Sequence, residues 1–237
     1  ISKCYYEICH QENETPLAAD SLASAFGTKL AMTTVEATSL PLPITLGGTT
    51  VKVKDSLGNE RLASLFFVSP PQINYLIPAD TAEGIATVTI TNSAGEVTRG
   101  LLNISPVAPG IFSADASGQG WAAADVVYVK SDQSQVIERV ARFAEGQFVP
   151  VPIDLSAGTV ILSLYGTGIR HRTQPAHVKV RIGGIEAVVD YADKQGRFLG
   201  LDQLNVRVPQ SLQGRGEVNI EVSVDGKAAN IVQIAIK

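Results

Sequence analysis

Apolar and polar residues alternate with a period of two along most of the chain. From Val178 the order runs Val178, Lys179, Val180, Arg181, Ile182, then breaks at Gly183-Gly184. From Val218 it runs Val218, Asn219, Ile220, Glu221, Val222, Ser223, Val224, and Thr87 to Thr91 alternates Thr with Val and Ile. Alternation places one residue set on each face of an extended segment, so these stretches read as half-buried strands. Their Val, Ile and Thr suit a pleated surface. Helical spacing is confined to Ile137, Val140, Ala141 and Ala144, a short run ending at Gly146. Strands over 136–137 and 140–143 account for that run equally well.

The pattern also repeats. Gln72-Ile73-Asn74-Tyr75-Leu76-Ile77-Pro78 matches Gln203-Leu204-Asn205-Val206-Arg207-Val208-Pro209, and the same displacement carries 86–95 onto 217–226. Leu46-Gly47-Gly48 matches Ile182-Gly183-Gly184, and Ala25-Phe26-Gly27-Thr28 matches Leu164-Tyr165-Gly166-Thr167. Four landmarks in one order indicate a tandem duplication. The first copy predicts strands near 22–26, 45–54, 62–68, 72–77, 86–91 and 97–104. The second predicts them near 159–165, 177–182, 185–191, 203–208, 217–224 and 228–236. Asp225-Gly226 signals a tight hairpin, and Pro78 and Pro209 each close a strand. About 80 residues of short strands with turn punctuation describe a small Ig-like sandwich.

The expectation is therefore an all-β chain of two tandem Ig-like β-sandwiches joined by a β-rich bridging segment. Residues 1–15 form an N-terminal segment, 16–106 the first sandwich, and 157–237 the second. Residues 107–156 form a bridging β-hairpin segment packed on the second sandwich. They carry predicted strands near 123–130 and 136–143 and a Pro-containing lead-in near 148–152.

Composition narrows the function classes. The chain has 237 residues, of which 18% are charged and 45% hydrophobic, with 21 Gly and 12 Pro. A net charge of −4 argues against disorder and against a nucleic-acid partner. No stretch approaches the roughly 20 apolar residues of a membrane-spanning helix. Two Cys exclude a disulfide-dense scaffold, and three His leave little for histidine chemistry. The chain begins at Ile1 rather than Met, which reads as a processed or excerpted sequence. No nucleophile elbow and no zinc-protease motif occurs, so the reading is non-enzymatic with no catalytic residues.

A set of segments then resembles one family. They are 16–28, Leu40-Pro41-Leu42-Pro43, Val68-Ser69-Pro70-Pro71-Gln72-Ile73-Asn74, Ala108-Pro109-Gly110-Ile111-Phe112, Tyr165-Gly166-Thr167-Gly168-Ile169-Arg170 and 200–206. Together they resemble the uncharacterised C-terminal domain family abundant in Solibacter and other acidobacteria, over roughly 15–237. Each repeat is also distantly similar to IPT/TIG domains. The resemblance implies a secreted or cell-surface protein and carries over no catalytic residue. Cys4, Cys9 and His10 lie outside it.

Candidate sites follow. In an exported protein, Cys4 and Cys9 read as a small disulfide loop, with free thiols or an intermolecular link as alternatives. Cys4-Tyr5-Tyr6-Glu7-Ile8-Cys9-His10 also has the elements of covalent haem c attachment at an unusual spacing, with a second axial ligand from His171, His177 or Met32. Zinc through Cys4, Cys9 and His10 is a further option. Otherwise no cofactor is expected. Gln72/Asn74 and Gln203/Asn205 fall on one strand face each and read as structural amides bonding loop backbone near strand ends. Gly27, Gly166 and the two Gly-Gly pairs read as turn glycines. Arg170, His171 and Arg172 form a small basic loop, and Trp121 and Tyr128 are aromatic candidates for stacking on a sugar.

These features converge on an exported structural or adhesive module of the bacterial cell surface, whose partners are other surface proteins or further copies of itself. A carbohydrate-binding module with a glycan partner is the alternative, centred on Trp121 and the 170–172 loop. A third reading is an extracellular fibre subunit in which the segment before Ser21 adds as a strand to a neighbour's sheet edge.

Overall fold

A computed structural model describes residues 3–5, 16–130 and 132–237. The chain is all-β. Helical structure among the described residues is limited to three-residue 3₁₀ turns at Leu155–Ala157, Pro175–His177 and Gln210–Leu212. Among the described residues, no helix is long and apolar enough to cross a membrane. Two compact units divide between Ala108 and Pro109, and each is an Ig-like sandwich.

The first unit contains β1 (Lys3–Tyr5), β2 (Leu22–Phe26), β3 (Val35–Glu36), β4 (Thr50–Lys54), β5 (Glu60–Leu62), β6 (Leu65–Val68), β7 (Gln72–Leu76), β8 (Gly84–Thr91) and β9 (Val97–Ile104). One sheet has the order β1-β2-β7-β6-β3 and the other β5-β4-β8-β9. Alternate residues face inward, as the period of two requires. Ile73 and Tyr75 of β7, Val51 and Val53 of β4, and Ala86, Val88 and Ile90 of β8 meet in one buried core. In the segment assigned as a donor strand for a neighbour, Lys3–Tyr5 instead pairs in parallel with β2 of its own chain, Lys3 opposite Ser24. Leu17 likewise bridges Ile104 of its own unit.

The second unit contains β10 (Gly110–Ile111), β11 (Ala124–Val129), β12 (Gln135–Arg139), β13 (Ala141–Ala144), β14 (Gln147–Pro150), β15 (Thr159–Thr167), β16 (Val178–Ile182), β17 (Ile185–Ala187), β18 (Val189–Lys194), β19 (Asp202–Arg207), β20 (Gly216–Val224), β21 (Lys227–Ala228) and β22 (Val232–Ile236). Its main sheet runs β12-β11-β15-β19-β18, with β10 also on β15. The facing sheet runs β17-β16-β20-β21, with β22 also on β20. Leu162, Leu164, Leu204 and Val206 are buried, as are Val180, Ile220, Val222 and Ile234. The stretch read as a bridging hairpin contributes β10, β11 and β12 directly to the main sheet, where β11 is an interior strand. Only β13 and β14 stand apart, as a two-stranded ribbon. The helical option over 136–144 is overturned, since β12 and β13 occupy it.

Strand pairing repeats between the units: β2–β7 corresponds to β15–β19, β6–β7 to β18–β19, β4–β8 to β16–β20, and β4–β5 to β16–β17. The pairing also corrects two sequence matches. Val51 stands opposite Ile90, as Val178 stands opposite Val224. Ile90, itself buried, therefore corresponds to an inward position of β20 such as Val222 or Val224. The sequence match set Ile90 against the outward Glu221, an odd slip that reverses strand faces. Gly47-Gly48 turns the chain before β4, whereas Gly183-Gly184 joins β16 to β17. The two dipeptides serve different turns.

Candidate functional site

The repeated amides form matching side-chain trios. In the first unit, Ser24 stands opposite Asn74. Its hydroxyl donates to Asn74 Oδ1 at 2.7 Å, and Gln72 Nε2 donates to the same oxygen at 2.8 Å. In the second, Ser163 stands opposite Asn205. Its hydroxyl and Gln203 Nε2 reach Asn205 Oδ1 at 3.0 and 2.7 Å. The amides thus bond across the strand pair rather than to loop backbone, because the register places a Ser directly opposite each Asn. Pro78 and Pro209 follow β7 and β19. Gly166 is likewise not a turn glycine: it lies within β15, where a Cβ would collide with the Gly110 carbonyl oxygen.

The basic loop is consumed by the fold. Arg170 Nε donates to Asp202 Oδ1 at 2.7 Å, and Nη2 donates to the Leu201 carbonyl at 3.0 Å. Asp202 is fully buried and also accepts the Ile169 N–H at 2.7 Å. Arg172 reaches Asp193 through both terminal nitrogens at 3.2 Å. Burial pushes the Asp193 carboxyl up, but the Lys194 N–H and Arg172 outweigh it and hold it below the usual range. His171 is exposed on this loop. Tyr128 is 9% exposed, and its hydroxyl accepts the Asp154 N–H at 3.3 Å. Burial, the leading cause, raises its pKa. The structure therefore corrects Tyr128 from a stacking platform to a core residue, and Arg170 and Arg172 from ligand groups to struts. Met32 is exposed and lies beside Asn92. Cys9 and His10, and the Cys4 side chain, lie outside the described residues, so the disulfide, haem and zinc readings do too. Among the described residues, no group of three or more His, Cys, Asp or Glu converges as a metal site.

Thr173, His177 and Asp225 form a polar cluster. The Thr173 hydroxyl lies 2.8 Å from His177 Nδ1, and Asp225 Oδ1 lies 3.0 Å from that same nitrogen. A catalytic relay needs the nucleophile and the carboxylate on different ring nitrogens. This cluster fastens the β20–β21 turn, where Asp225 and Gly226 both have positive φ, as the hairpin signal required.

The remaining sequence candidate, Trp121, lies in a cleft of about 510 Å³ between the 114–121 loop and the β13–β14 ribbon. Backbone bonds hold Trp121 in place: Ala114 N–H donates to its carbonyl at 2.8 Å, while Gln233 N–H donates to the Gly120 carbonyl at 2.7 Å. Asp115 Oδ1 accepts from the Ser117 N–H and from the Ser113 and Ser117 hydroxyls. Those donors, the Ser117 N–H foremost, hold its carboxyl below the usual range. Asn230 braces the same loop, donating to the Ile111 and Gly118 carbonyls.

Across the cleft, the ribbon turns at Glu145-Gly146, both at positive φ. That turn sets Phe143 opposite Phe148, with ring centroids 5.3 Å apart and planes at 70°. This is the edge-to-face arrangement that aromatic pairs favour. Phe143 remains 66% exposed. Val140 and Ala141 are buried and anchor the ribbon's base. Sequence reasoning missed Phe143, Phe148, Gln147 and Asp115. The available signal was the equal distance of the two Phe from the Glu145-Gly146 turn.

No protein-family model matches the chain, and no curated protein matches it. Among solved structures it is similar to a crystal structure of bovine butyrophilin at 10% identity, covering 96% of each chain, with a TM-score of 0.26.

Proposed function

We propose that this chain is a non-catalytic structural or adhesive module exported to the bacterial cell surface, of the kind the acidobacterial resemblance implies. The observation that carries the reading is how the molecule distributes its chemistry. The Arg170–Asp202 and Arg172–Asp193 pairs and the two Ser–Asn–Gln trios are spent on holding strands and loops. Phe143 is exposed and, with the half-buried Phe148 and Trp121, lines one open cleft. A duplicated scaffold presenting a small aromatic surface suits contact rather than turnover. It works with other surface components as partners and needs no cofactor.

Antibody labelling of intact and permeabilised cells of the source bacterium tests this. Equal labelling of both is expected. Labelling that appears only after permeabilisation overturns the proposal.

A further inference from the structure

We propose that the cleft between the 114–121 loop and the β13–β14 ribbon binds a neutral oligosaccharide. This rests on the reading of the chain as a surface adhesive module and supplies its ligand. Three observations select that chemistry. First, Trp121, Phe143 and Phe148 line one cleft whose volume, about 510 Å³, lies within the range of small-ligand sites. Pyranose rings present apolar C–H faces that pack on aromatic faces.

Second, the polar lining groups are Asp115 and Gln147, with no cation among the lining residues. A carboxylate held ionised by Ser113 and Ser117 is an acceptor only, so it seeks hydroxyl donors and repels anions. That favours a neutral polyol over a phosphate, a sulfated glycan or an acidic peptide. Third, the site is built in advance. The loop is tied by Ser113, Asn230 and Gln233, and Gly120 and Gly146 leave open space where side chains would otherwise stand. Preorganisation reduces the ordering cost of binding.

The test uses the intact chain, whose single Trp is Trp121. Its emission is followed during titration with cello-, xylo-, manno- and chito-oligosaccharides. A saturable change with at least one of them is expected. Phe143→Ala and Phe148→Ala should each weaken that binding about tenfold, the scale of one aromatic contact, and Phe143→Trp should restore it. Phe143 is mostly exposed, so its Ala variant should keep the parent melting temperature, and loss of binding then reports the site. The proposal is overturned if no neutral oligosaccharide alters the emission at millimolar concentration. It is overturned equally if Phe143→Ala binds like the parent, or if only an added protein or a charged glycan gives a response. Silent titrations beside positive labelling of intact cells sink this proposal alone. Saturable binding beside labelling only after permeabilisation sinks the surface reading alone.

Discussion

Single acceptor oxygens organise much of this molecule. Asn74 Oδ1 and Asn205 Oδ1 each collect a serine hydroxyl and a glutamine amide. Ser24 and Ser163 are buried, so removing the acceptor leaves a buried hydroxyl unpaired. Asn205→Ala should therefore cost about 1–3 kcal/mol in chemical denaturation, with Asn74→Ala costing a similar amount in its own unit. An unchanged unfolding midpoint would refute this. Asp55 does comparable work in the turn between β4 and β5. Burial raises its carboxyl, but Arg61 and the N–H groups of Asn59 and Ala82 outweigh that and lower the pKa from 3.8 to about 2. A depressed carboxylate contributes stability above its unfolded pKa and loses it as pH falls through the folded one. The first unit should lose stability between pH 3.8 and about 2. Urea melts across that range should show a shallower acid slope for Asp55→Asn. The Gln72/Asn74 spacing was legible in the sequence, but the serine partners were not, because a cross-strand Ser is identified only once register is known.

At the scale of elements, the period of two located the strands well. β2 and β9 coincide with the predicted 22–26 and 97–104. Turns were less legible, because identical dipeptides meet different needs. Gly166 shows how. Its value is not conformational freedom but the missing side chain, which lets β10 lie against β15. Gly166→Ala should displace β10 and cost about 1–3 kcal/mol, the usual scale of overpacking, as read by thermal unfolding of the 109–237 unit. A neutral result would mean that β10 yields without loss. The aromatic ribbon was invisible for a related reason. Phe143 and Phe148 become neighbours only through the turn that pairs β13 with β14, and the helical alternative over the same residues hid that pairing.

At the scale of the whole molecule, duplication was legible and its internal bookkeeping was not. Both units share the same pairing scheme, yet the second places an antiparallel β11 beside β15 where the first has a parallel β1 beside β2. Buried residues from Leu17 to Ile104 close a core within the first unit, and the second buries its own set. Residues 16–108 and 109–237, expressed separately, should each unfold cooperatively. Calorimetry showing no transition for either piece would contradict that.

The β13–β14 ribbon belongs to neither sheet of its sandwich, and only its base, at Val140 and Ala141, is buried. Mutation can therefore rewrite its tip without disturbing the residues on which folding depends. On the proposed reading, stability and recognition rest on different positions, so a lineage of such chains can diversify what it grips while keeping the same frame.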